Sequence, residues 1–154
     1  MKKKIVVFFT IIILNFSFEI ANSKIFIKAK VNNQIITNID VKNEKNYLLA
    51  LNPSLRNLSE VNINRYAIDS LINEKIKQIE IEKRFEILQN EKVIKQIISD
   101  LYSKIGISDL ETFKEYLNNY GINLELVKNK ISIEVAWNDY IVNKFNNVVL
   151  VDEA

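Results

Sequence analysis

A mainly α-helical domain, opened by a short β-hairpin and continued by about five helices, is what this sequence predicts. Three observations lead there. Apolar residues alternate on either side of Asn32-Asn33, apolar residues recur at spacings of three and four from Ser59 onward, and only two glycines and one proline interrupt the chain.

Taken in order, Ile25, Ile27, Ala29 and Val31 alternate with Phe26, Lys28 and Lys30, which is strand period and places the first four on one face. Asn32-Asn33 reads as a two-residue turn, because asparagine tolerates the left-handed backbone of a tight hairpin. Thr37 with Asp40 three places on is a helix start, the hydroxyl capping and the acid meeting the positive end of the dipole. The first helix then runs from Asn38 to about Leu51 and ends before Pro53, which pushes its predecessor out of helical geometry. The stretch from Asn52 to Leu58 is expected to be the longest loop.

From Ser59, Ala67, Ile68, Leu71, Ile72, Ile76 and Ile79 form a buried stripe, in a helix that reaches Phe85 or Leu88. Val93, Ile94, Ile97, Ile98, Leu101 and Ile105 make a third helix, closed by Gly106 as a left-handed cap. Ser108-Asp109-Leu110-Glu111 reads as a capping box opening a fourth helix, with Phe113, Leu117 and Tyr120 inward and Gly121 as its stop. Asn123 caps the fifth. At about 100 degrees per residue, Leu124, Val127, Ile131, Val135, Val142 and Phe145 fall on one face of it and Leu126, Ile133, Trp137 and Tyr140 on the other. Two faces need two partners. Val148 to Val151 has the composition of a short C-terminal strand.

Residues 1–23 set the compartment. Lys2, Lys3 and Lys4 precede an apolar run from Ile5 to Leu14, and Ala21-Asn22-Ser23 offers small residues where an export peptidase reads, so a signal peptide cleaved near Ser23 is expected. The apolar run falls short of the roughly 20 residues a membrane span requires, so no stable membrane anchor is expected after cleavage. Cleavage removes three of the 21 basic residues and one of the 19 acidic ones, leaving 18 of each. A neutral chain lacks the basic stripe that nucleic-acid binders use for phosphate contacts. The remaining residues 24–154 suit one domain. With no cysteine there is no disulfide framework, and with no histidine either there is no Ser-His or Cys-His pair and no thiolate or imidazole metal site. No cofactor is expected.

The succession of signal, V-N-N-Q-I-I-T-N-I-D-V at Val31 to Val41, L-I-N-E-K-I-K-Q-I-E at Leu71 to Glu80, the capped helix Asp109 to Tyr120, Y-G-I-N at Tyr120 to Asn123 and a long last helix resembles the N-terminal domain of SurA-type periplasmic chaperones. The resemblance covers about Lys24 to Asp152. It implies a periplasmic location and a role in outer-membrane protein assembly, with unfolded outer-membrane proteins or peptides as partners. SurA-type proteins usually continue into parvulin peptidyl-prolyl isomerase domains, which this sequence lacks, so an enzyme is not expected.

A chaperone of this kind needs accessible apolar and aromatic surface with a polar rim. Leu126, Ile133, Trp137 and Tyr140 are the first candidates for client binding, with Tyr47, Leu48 and Leu51 on the first helix next; core packing is the competing role of both sets. Two further functions stay open: an interaction subunit that forms a homodimer or docks on a separate parvulin-bearing chain, and the N-terminal fragment of a parvulin-type isomerase. The charges from Glu74 to Arg84 read as a solvated helix face, and Glu111 and Glu115 as capping and solubility rather than an acid-base pair.

Overall fold

The computed structural model describes residues 24–84 and 90–145. A hairpin of β1 (Ile27–Val31) and β2 (Gln34–Thr37) leads into α1 (Asn38–Leu51), a 3-10 turn (Pro53–Asn57), α2 (Glu60–Glu82), α3 (Glu91–Lys104), α4 (Leu110–Asn119) and α5 (Leu124–Phe145). The mainly helical architecture and the N-terminal hairpin are those expected from the sequence. The signal segment and the strand expected at 148–151 lie outside the described residues, whereas α2 ends at Glu82, with Lys83 and Arg84 in a turn, short of the Phe85 or Leu88 expected from its apolar stripe.

The hairpin turns at Asn32, whose φ of 52° is the left-handed geometry its side chain tolerates. β1 departs from simple alternation. Ile27 pairs with Thr37 but Ala29 with Ile36, so Lys28 is an extra residue opposite a single step of β2. Such a bulge exchanges the faces on its two sides. Ala29 and Val31 face the core, whereas Ile27 is turned outward and Ile25 and Ile27 are 67% and 62% exposed. The one-faced stripe expected from Ile25 to Val31 is thereby split in two.

Thr37 begins α1 as a capping box with aspartate in the position usually held by glutamate. The Asp40 N–H donates to Thr37 Oγ1 at 3.2 Å and the Thr37 N–H to Asp40 Oδ2 at 2.7 Å. Thr37→Ala is expected to cost about 0.5–2 kcal/mol in urea denaturation, since it removes one half of this exchange. Helix α1 ends at Leu51 as expected, but the segment after it is not an irregular loop. Pro53 enters a 3-10 turn capped by Asn52, whose Oδ1 accepts from the Ser54 N–H, because proline's fixed φ suits a first helical position.

Ser59, from which the helical pattern of the sequence runs, caps α2, and Asn123 Oδ1 accepts from the Leu126 N–H at the start of α5 as expected. The cap of α4 is Asp109 and not Ser108. Its Oδ1 accepts from the Thr112 N–H at 2.9 Å, and that bond together with the Thr112 hydroxyl holds the carboxyl below its ordinary range. Gly106 and Gly121 adopt φ of 81° and 69° just past α3 and α4. In each case two backbone bonds from the reversing chain reach the last turn, Ile107 to Tyr102 and Gly106 to Ser103 at the first, Ile122 to Leu117 and Gly121 to Asn118 at the second.

Two apolar clusters result. The larger joins α1, α3, α4 and α5 through Ala50, Ile94, Ile98, Phe113, Leu117, Ile122, Val127 and Ile131. The smaller packs the hairpin on α1 and α2 through Ile36, Val41, Ala67 and Leu71. Helix α1 contributes to both, and α2 lies against α1 and α5. Tyr116 ties the helical half to the end of α1, donating to the Ala50 carbonyl at 2.7 Å and accepting from Arg56 at 2.9 Å.

Candidate functional site

Helix α5 has the two partners its two faces require. Val127 and Ile131 are buried in the larger cluster, and Ile133 and Tyr140 are buried on the opposite side, where α5 meets α2. The second face is therefore covered over much of its length and is not a spare surface. Beyond Tyr140 the helix emerges, and Val142 and Phe145 are exposed.

What remains accessible on this face lies in two clefts beside the hairpin. The first, about 430 Å³, has apolar walls from Ile35, Ile36, Leu71, Leu126 and Ile133, with Asp40, Glu74, Lys75 and Glu125 among its polar lining. The second, about 330 Å³, sits at the hairpin turn and is lined by Val31, Asn32, Ile76, Ile79, Glu80, Lys83 and Trp137. Ile76 projects there 49% exposed, and Trp137 is half-buried. The Trp137 ring rests 5.5 Å from that of Tyr140, whose hydroxyl donates to Glu80 at 3.3 Å while Arg84 and Lys144 each approach its ring at 5.3 Å. Lys83 is the main cause that holds the Glu80 carboxyl below its ordinary range, with Arg84 and Tyr140 adding to it.

The seven candidate side chains are thus divided. Leu126 and Ile133 share the first cleft and Trp137 lines the second, with Tyr140 as the buried support beneath it. Leu48 packs against the hairpin cluster and Leu51 against the larger one. Tyr47 lines a smaller hollow between α1, α2 and α5, 5.0 Å from the Lys130 ammonium. Burial pushes the Tyr47 hydroxyl well above its ordinary pKa, and Glu44, Glu74 and Glu134 push the same way.

Between the first cleft and this hollow lies an ionic triad that sequence reasoning missed. Lys130 is 2.6 Å from Glu44 and also bonds Glu74, and Glu44, 2% exposed, accepts a further bond from the Ser70 hydroxyl at 2.6 Å. Burial lowers the Lys130 pKa, but the two carboxylates outweigh it and the net shift is upward. Glu74 is accordingly a half-buried partner in the triad, whereas Glu80, Lys83 and Arg84 form the weak surface pairs expected of that stretch. A signal was available. Glu44 stands between Val41 and Leu48, Glu74 follows Ala67 and Leu71, and Lys130 stands between Leu126 and Ile133, each a charge at an apolar position of a helical stripe.

No group of acidic side chains among the described residues is arranged to hold a metal ion, and no described helix is long and apolar enough to cross a membrane. Comparison of the chain with family models, with curated proteins and with solved structures finds no match.

Proposed function

We propose that this protein is an exported chaperone-like domain that binds apolar and aromatic segments of unfolded outer-membrane proteins in the two clefts beside its hairpin. The observation that supports this most directly is that Leu126 and Trp137, both only partly buried, line open clefts, with Ile133 as a buried wall of the first. Side chains of an extended segment fit such clefts one or two at a time, and polar groups at the margin limit how tightly they are held. Weak, reversible retention is what an escort requires. The charged and apolar character of residues 1–23 supports export, and the periplasm as the compartment of that role is what the resemblance to SurA-type chaperones implies.

Trp137 is the only tryptophan, so its fluorescence reports the second cleft alone. Its emission is expected to shift to the blue when an unfolded outer-membrane segment rich in aromatic residues is added. At stoichiometric concentration the protein is expected to keep such a client from aggregating. Trp137→Ala should weaken binding by roughly 5- to 30-fold, the range of a moderate hot spot, and cost less stability than the about 3–5 kcal/mol of a buried tryptophan. Emission that ignores the client, together with unchanged client aggregation, would defeat the proposal.

A second reading rests on Val142 and Phe145, exposed on the last turns of α5. This end would close a homodimer or dock on a parvulin-bearing chain. Light scattering on the isolated protein, compared with a Val142→Asp/Phe145→Asp variant, distinguishes the dimer from the monomeric chaperone.

A further inference from the structure

The outer face of the hairpin carries an apolar and basic surface that the client clefts do not use. The bulge at Lys28 turns Ile27 away from the core, and Ile25, Phe26 and Ile27 stand exposed in succession. Lys24, Lys28 and Lys30 are exposed around them, and residues 24–37 contain no aspartate or glutamate. The Lys28 ammonium lies 4.7 Å from the centre of the Phe26 ring, so cation and aromatic face are presented side by side. The lead-in is held in place: Phe26 N–H donates to Asn38 Oδ1 at 2.9 Å and Asn38 N–H to the Phe26 carbonyl at 3.0 Å.

We propose that this face docks the protein reversibly on an anionic phospholipid surface, with Ile25, Phe26 and Ile27 entering the headgroup boundary and Lys24, Lys28 and Lys30 meeting lipid phosphates. Charge complementarity selects the occupant. A second copy would set three lysines against three more, and an added peptide strand is opposed by the bulge and by lysines along β1, the devices that blunt a sheet edge. A lipid interface accepts both halves of the surface, since apolar side chains partition below the headgroups while long basic ones stay at phosphate level.

The chain has no cysteine, so an introduced one is a unique labelling site. Full-length protein carrying Ile27→Cys with an environment-sensitive fluorophore is mixed with vesicles of equal phosphatidylglycerol and phosphatidylcholine, or of phosphatidylcholine alone. A label at Leu110→Cys on α4 serves as the control. The label at position 27 is expected to shift to the blue on anionic vesicles only and to return on adding salt, while the control does not respond. Lys28→Gln/Lys30→Gln should weaken the response by roughly 30-fold, each lysine near the surface contributing about fivefold. A shift equal on neutral vesicles and unaltered in the lysine variant would assign membrane contact to residues 1–23 and overturn the proposal. So would a label that stays water-like on anionic vesicles, one that responds to protein concentration without lipid, or one that responds only to an acidic peptide.

Discussion

Lys130→Met is expected to lower the unfolding free energy by about 3–5 kcal/mol, the cost of leaving buried charge without its partner. Its ammonium stands 2.6 Å from Glu44 and also bonds Glu74, and the Glu44 side chain is almost wholly withdrawn from water. Without Lys130 the two carboxylates face each other. The attraction does not by itself make the triad a net source of stability, because all three groups lose hydration on folding. Lys130→Met/Glu44→Leu/Glu74→Leu is therefore expected to recover most of the loss, and urea denaturation of both variants distinguishes broken pairing from broken packing. A loss below about 1 kcal/mol in the single variant would place the triad among ordinary surface pairs.

The same triad gives a pH dependence with a definite sign. Lys130 has a raised folded pKa, so its contribution is fully present below the unfolded value of about 10.4 and is lost as pH rises through the folded one. Tyr47, raised by burial, acts in the same direction, its unfolded value lying near about 10. Stability is expected to decline above about pH 10, and less steeply in Lys130→Met than in the parent. An equal slope in both would remove Lys130 from the cause.

Phe113→Ala is expected to cost about 3–5 kcal/mol as well, through a cavity and not through charge. Phe113 is fully buried where α4 meets α3, its ring 5.7 Å from that of Tyr102 at 51°. Phe113→Leu keeps most of the volume and should cost about 1.5 kcal/mol. Equal losses in the two variants, measured by calorimetry, would show that the site collapses around the smaller side chain instead of leaving a void.

Features governed by neighbouring residues were legible in the sequence. Asn32 at the turn, Thr37 and Asp40 at the start of α1, Asn123 as a cap, and the two glycines past α3 and α4 each act within a few residues of themselves. The bulge at Lys28 was hidden because it depends on how β1 pairs with β2, and alternation along one strand is silent about its partner's register. The triad was hidden for a related reason. Each of its charges stands at an apolar position of its own helix, but that Lys130 meets Glu44 and Glu74 depends on how two other helices pack against α5. Of the candidate site, the apolar stripe Leu126, Ile133 and Trp137 could be read from helical spacing. That it borders two clefts follows from where the hairpin and α2 settle, which no single helix determines.

Helix α5 supplies Val127 and Ile131 to the larger cluster and Lys130 to Glu44 and Glu74, so the larger cluster and the ionic triad stay incomplete until α5 is in place, while the hairpin, α1 and α2 already share the smaller cluster. The Lys130–Glu74 contact joins residues 56 positions apart, and closing such distances is the slow part of folding. A chain emerging N-terminus first would meet the elements in the order hairpin, α1, α2, and could close the smaller cluster but not the larger one before its last helix had emerged. Until then Glu44 and Glu74 stand without their ammonium partner, so the pairing of α1 with α2 carries two carboxylates that only the last helix neutralises.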